Sequence, residues 1–229
     1  MAAANVDYPL AIALEDFIPI VFTLLGGIQL SRWVGRRDAN LERPALIGTL
    51  ILSAGGACKA TWKLIRSLDG PDIKWLSGAL FPFLAVGFAL LAWALIVHDY
   101  RETGSIEPGA TNTPARIPLI VGGCALATAF VASAATGWSR AYVIPTLGLA
   151  TLGSLSLVIV CVKAARRRKL ALVAAAFIAN FVGVLVLSRL SGIELQTIKL
   201  QWIEQSVNTF ATGCFAWASY QLRKHGSPS

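Results

Sequence analysis

The sequence predicts an all-α, polytopic membrane protein with seven transmembrane helices, and three observations carry that prediction. Of its 229 residues 55% are hydrophobic and only 14% are charged, with a mean hydropathy of +0.64, whereas an ordinary soluble domain carries about 25% charged residues. The apolar residues gather into seven runs, at about 10–31, 44–66, 74–98, 116–137, 140–162, 169–189 and 197–222, each near the roughly 20 residues that cross a bilayer core. The basic residues collect mainly between the runs rather than within them. Seven spans leave only tails and short loops, so residues 1–229 read as a single transmembrane domain, with no room for a Rossmann domain, a P-loop or a nucleic-acid module.

The first run contains Glu15, Asp16 and Pro19, and no positive charge precedes Arg32. It lacks the basic start of a signal peptide and is long enough to remain as a span. The segment RWVGRRDANLER follows, with Arg32, Arg36, Arg37 and Arg43. The second run ends in Lys59, Lys63 and Arg66, and the third leads into HDYRETGSIEPGATNTPAR, whose Gly, Pro and Thr mark a linker. A tight GWSR turn separates the fourth and fifth runs. VKAARRRK follows the fifth, and Arg223 and Lys224 follow the seventh. If the spans alternate, the three basic segments share one side of the membrane. The positive-inside rule makes that side cytoplasmic, with the N-terminus outside and the C-terminus inside. The net charge of +8 then reflects topology rather than affinity for nucleic acid, and the expected location is multi-pass in a bacterial-type inner or plasma membrane.

An internal repeat is expected as well. FIPIVFTLLGG at Phe17–Gly27 aligns with VIPTLGLATLG at Val143–Gly153, placing Pro19 on Pro145 and Gly27 on Gly153, and AWA at Ala92–Ala94 aligns with AWA at Ala216–Ala218. Residues 10–98 form the first three-helix repeat, 116–137 a linker helix and 140–222 the second repeat, both copies pointing the same way. This 3+1+3 order resembles the SWEET and PQ-loop sugar and amino-acid facilitators, the bacterial vitamin-riboside facilitators and, more distantly, the opsins. Pro19 and Pro145 stand where PQ-loop proteins carry their prolines, with Ile20 and Thr146 in place of the glutamine. The resemblance implies a facilitator. Separately, Pro19 and Pro145 lack the N–H of a regular helix turn and can kink their helices, as hinges or as static kinks.

Charges inside a bilayer cost roughly 2.5–3.5 kcal/mol each even on insertion scales, so each needs a partner or a wet cavity. Glu15 and Asp16, Lys59 and Lys63, and Glu204 with Gln205 fall at similar depths below the external surface. Lys59 and Lys63 share a helix face with Gly55. Thr197, Gln201, Glu204, Gln205, Asn208 and Thr212 recur at steps of three and four, a polar stripe on the seventh helix. The expected ligand- or proton-binding set is therefore Glu15, Asp16, Lys59, Lys63, Gln201, Glu204, Gln205 and Asn208, in one asymmetric, outward-facing pocket between helices 1, 2 and 7. Such a near-balanced site suits a zwitterion, or a carboxylate that exchanges a proton. The same charges could instead form an ion-pair staple between helices. Arg66, Lys74, Arg189 and Lys199 read as rim residues whose long stems reach the interface. Trp33, Trp62, Trp75, Trp138 and Trp202 read as interfacial anchors, with Trp62 and Trp202 also placed to wall the pocket.

Cys58, Cys124, Cys161 and Cys214 lie in four different runs without CxxC spacing, and His98 and His225 are too few for a three-His zinc site. No metal, cofactor or catalytic residue is expected. The reading is a small-solute transporter or facilitator, proton-linked if one carboxylate titrates. Its alternatives are a non-transporting heptahelical receptor, sensor or accessory subunit, and an intramembrane lipid hydrolase using paired carboxylates. Membrane lipids, a small polar or zwitterionic ligand, and an oligomeric or cytoplasmic partner are the expected associations.

Overall fold

A computed structural model of the chain describes residues 9–104, 142–190 and 197–225, and these residues are all-α, with no strand among them. The predicted linker run at 116–137, together with Cys124 and Trp138, lies outside the described residues. Six helical rods are described, two of them broken near a proline. The first consists of α1 (Leu10–Glu15) and α2 (Phe17–Gly35), parted at Asp16. Pro19 offers no N–H to the Glu15 carbonyl and its ring crowds that oxygen, which accounts for the break.

Helix α3 (Ala39–Ser67) starts five residues before the apolar run, because Asp38 Oδ1 accepts the Asn40 N–H at 2.9 Å and caps a polar first turn. It ends where Asp69 adopts a left-handed conformation, φ 55°, and the Gly70 N–H donates to the Ile65 carbonyl at 2.9 Å. The third rod is α4 (Lys74–Gly78) and α5 (Leu80–Glu102), broken at Ala79. Pro82 leaves the Gly78 carbonyl without its helical donor, and the Tyr142 hydroxyl donates to that carbonyl at 3.3 Å. Helix α6 (Val143–Arg167) closes in the same way as α3: Lys169 takes φ 59° and the Leu170 N–H donates to the Ala165 carbonyl at 2.9 Å. Helices α7 (Ala171–Leu190) and α8 (Ile198–His225) complete the described chain.

Five rods, Leu10–Gly35, Ala39–Ser67, Lys74–Glu102, Val143–Arg167 and Ala171–Leu190, are long and apolar enough to cross a membrane. Helix α8 has the length, at 28 residues, but its polar stripe makes it less apolar than the other five. The rods pack as a ring in the order α2, α3, α5, α6, α7, α8, and α8 returns to α2. Small residues permit the close approaches. A Cβ on Gly48 of α3 would lie 2.7 Å from the Gly87 carbonyl oxygen of α5, so these two backbones meet directly.

One end of the ring is tied by ionic contacts. The Arg36 guanidinium donates to the Arg223 carbonyl at 2.6 Å, Arg101 pairs with Asp38, Arg167 pairs with Asp99, and Arg168 lies 2.5 Å from Glu102. The last turns of α2, α5, α6 and α8 therefore gather with the first turn of α3, and the basic segments of the sequence share this end. Helices α5 and α6 run parallel, so Gly104 and Tyr142 lie at opposite ends of the bundle. The core, including Leu30, Trp33, Val34, Leu52, Leu91, Leu95, Leu157, Phe177, Phe215 and Leu222, sits in the half nearer the basic end. Trp33 belongs to it: only 2% exposed, it meets His98 edge-on at 4.5 Å and lies 5.5 Å from the Arg168 guanidinium. This corrects the expectation that Trp33 is an interfacial anchor. Trp75, in contrast, is exposed.

Candidate functional site

The other end of the ring holds the charges that lie within the apolar runs, and helix periodicity shows where they point. On α3, Gly48 and Gly55 face α5 (Leu90 and Phe83), whereas Thr49 and Gly56 face α2 (Gly27 and Ile20). At 100° per residue the direction between these two faces, into the bundle, belongs to Leu52, Lys59 and Lys63. Leu52 is part of the core. Lys59 stands two turns beyond it, roughly 10 Å along the axis, and is exposed. A side chain that is directed inward and yet exposed marks an interior that is open at this end. Gly55 itself faces α5, so the shared face expected for Gly55, Lys59 and Lys63 belongs more closely to the two lysines and Leu52.

Helix α8 lines the same interior. Its Ala211 meets α7, where the Asn180 amide donates to the Ala211 carbonyl at 3.0 Å, and Gly213 and Ala216 meet Phe22 and Gly26 of α2. Between these faces lie Gln201, Glu204, Gln205, Asn208 and Thr212, in line with the core residues Phe215 and Leu222. Gln201 and Gln205 are 6% and 5% exposed. Gln201 Oε1 and Glu204 Oε1 are buried without a hydrogen-bond donor among the described residues. Asn208 accepts, through its backbone carbonyl, the Thr212 hydroxyl at 2.8 Å.

The break at Asp16 brings two carboxylates from the first rod into this group. Asp16 Oδ2 lies 2.6 Å from Lys63 Nζ, their side chains 12% and 16% exposed. Glu15 Oε1 accepts the Thr209 hydroxyl of α8, while Glu15 Oε2 is buried without a donor among the described residues. Lys59 feels the charges of Lys63, Asp16 and Glu204, but it has no carboxylate within 4.0 Å among the described residues. The cluster thus has two parts. Asp16–Lys63 and Glu15–Thr209 tie the first rod to α3 and α8. Lys59, Glu204 and Gln201 retain donors and acceptors that these ties leave unused.

The remaining sequence-predicted residues are placed differently. The Trp62 indole N–H donates to Asp72 Oδ1 at 2.9 Å, in the connection after α3. Trp202 is exposed beside Ile203 on α8. Pro19 stands just past the α1–α2 break, whereas Pro145 lies in the first turn of α6, where a missing N–H removes no bond from the described helix. Arg66 donates to the Gly70 carbonyl at 3.2 Å, in the connection past the end of α3. Lys74, Arg189 and Lys199 are exposed. Sequence reading missed Thr209, which lies one position off the stripe beside Asn208, and it missed Asp99 and Glu102, which it read as the start of a loop. The only sequence signal for Thr209 was a second polar side chain directly after Asn208 in VNTFA. Among the described residues no group of three or more His, Cys, Asp or Glu side chains is arranged to hold a metal ion. The chain matches no protein-family model, no curated protein and no solved structure.

Proposed function

We propose that this chain is a seven-span membrane protein, N-terminus outside and C-terminus cytoplasmic, that binds a small polar or zwitterionic solute in an outward-facing vestibule and passes it across the membrane as a transporter or facilitator. The single observation that carries the reading is Lys59: directed into the bundle, exposed, and without a close carboxylate among the described residues. A buried acceptor left without a donor costs about 1–3 kcal/mol, and the oxygens of Glu204 and Gln201 carry that cost at the same end of the ring. A zwitterion answers both needs, its carboxylate on Lys59 and its ammonium on those oxygens. Glu204 is then the carboxylate for a proton-linked cycle, since Asp16 and Glu15 are engaged by Lys63 and Thr209.

A second reading, a receptor or sensor that binds without transport, is favoured by the packed core and the ion pairs that close the basic end. Purified protein in proteoliposomes, offered a panel of radiolabelled amino acids, tests the two. Uptake that falls at least tenfold in Lys59→Gln and Glu204→Gln supports transport. Saturable binding without uptake supports the sensor. Absence of both, for protein that is folded by circular dichroism, refutes the vestibule as a site for this ligand class.

A further inference from the structure

The basic end of the ring is electrically lopsided. Where α3, α5 and α6 meet, the carboxylates Asp38, Asp99 and Glu102 answer Arg101, Arg167 and Arg168. Across the ring, where α2 meets α8, Arg36 holds the Arg223 carbonyl at 2.6 Å and so sets the last turns of the two helices side by side. Arg32 lies one turn back on the same side of α2, and Lys224 follows Arg223. Arg32, Arg36 and Lys224 are exposed. No carboxylate among the described residues forms an ion pair with Arg32, Arg223 or Lys224. Two buried polar atoms at this seam, Arg223 Nε and Gln29 Oε1, have no hydrogen-bond partner among the described residues. Below the cations the outer surface turns apolar and aromatic: Val21 and Leu25 on α2, and Trp217 and Tyr220 on α8, are exposed, and Arg223 lies over the Tyr220 ring at 5.9 Å.

We propose that the α2–α8 seam at the basic end binds the phosphate of an anionic phospholipid. The exposed cations Arg32, Arg36 and Lys224 suit a phosphate monoanion. The Tyr220 and Trp217 rings suit the headgroup boundary, and Val21 and Leu25 suit an acyl chain running down the outside of the ring. The seam lies at the opposite end of the bundle from Lys59, so the lipid site stands whether or not the vestibule binds a solute.

Native mass spectrometry of the detergent-solubilised full chain, titrated with phosphatidylglycerol, phosphatidylcholine or glycerol 3-phosphate, tests this. Phosphatidylglycerol is expected to bind and to raise the Tm, and the other two to do neither. The triple variant Arg32→Gln/Arg36→Gln/Lys224→Gln is expected to bind roughly a hundredfold more weakly, at about fivefold per charge removed. A control, Lys163→Gln/Arg166→Gln/Lys169→Gln on the α6 side, is expected to bind as wild type. Equal losses in both triples would reduce the site to general attraction by a basic end and overturn the proposal. Glycerol 3-phosphate binding as tightly as the lipid would overturn the choice of a lipid. Should the first triple fail to fold, the single variant Lys224→Gln, at an exposed helix end, is expected to show the fivefold loss, and wild-type affinity in it would refute the assignment.

Discussion

Removing one member of the Asp16–Lys63 pair should be much more damaging than removing both. The two atoms are 2.6 Å apart and their side chains are 12% and 16% exposed, so in Lys63→Met the Asp16 carboxylate remains inside the bundle without its ammonium. Breaking a buried pair from one side costs about 3–5 kcal/mol, whereas replacing both charges with neutral groups is often close to neutral. Partial exposure places this pair at the lower end. We expect about 3 kcal/mol for Lys63→Met, a similar loss for Asp16→Asn, and about 1 kcal/mol for the double variant, a coupling of several kcal/mol. Lys59→Met is the internal control: an exposed lysine with no carboxylate within 4.0 Å among the described residues should cost less than about 0.5 kcal/mol. Unfolding in mixed micelles, followed by tryptophan fluorescence, reads all four, with Trp62 next to Lys63 in sequence as a local reporter. Additive single losses, or a Lys59→Met loss equal to that of Lys63→Met, would refute the division of the cluster into a staple and an unpaired remainder.

Three further outcomes follow from local geometry. Gly48→Ala should lower stability by about 1–3 kcal/mol, because the added methyl meets the Gly87 carbonyl oxygen and not a flexible side chain; the same unfolding assay measures it. Lys169→Gly should raise stability by about 1 kcal/mol, since a non-glycine residue at φ 59° carries a left-handed penalty that glycine does not. Tyr142→Phe should cost about 1 kcal/mol by leaving the Gly78 carbonyl without its donor, and should speed hydrogen exchange in α4, with little change in α7.

The all-α character and most of the long apolar rods were legible in the sequence, because apolar run length and charge position are properties of local sequence. The stripe on α8 was readable for the same reason: Gln201, Glu204, Gln205 and Asn208 keep the helical period, and all four lie on the inner side. What the sequence did not display were the residues whose roles depend on a neighbouring rod. Thr209 is off the stripe, and only the approach of α1 to α8 makes it the partner of Glu15. Glu102 looked like the beginning of a polar loop, yet α5 continues through it, and the arginines of α6 pair with it and with Asp99. Trp33 sits near a span end, as an anchor would, but the rods on either side enclose it. The aligned prolines illustrate the same limit. Pro19 interrupts a helix and Pro145 begins one, because the number of helical residues before each differs.

The closing of the ring between α8 and α2 has a consequence for biosynthesis. Helix α8 follows the other described rods in the chain and is less apolar than they are, since its inner side is polar from Gln201 to Thr212. Its own hydrophobicity gives the insertion machinery little reason to release it sideways into lipid. Beside the first rod, where Thr209 reaches Glu15 and Phe215 covers Gly26, its polar stripe turns into the ring. If the ring assembles in a membrane, as proposed, the first described rod has to stay near the translocon until α8 arrives, and chains cut before residue 198 are expected to be retained there and degraded.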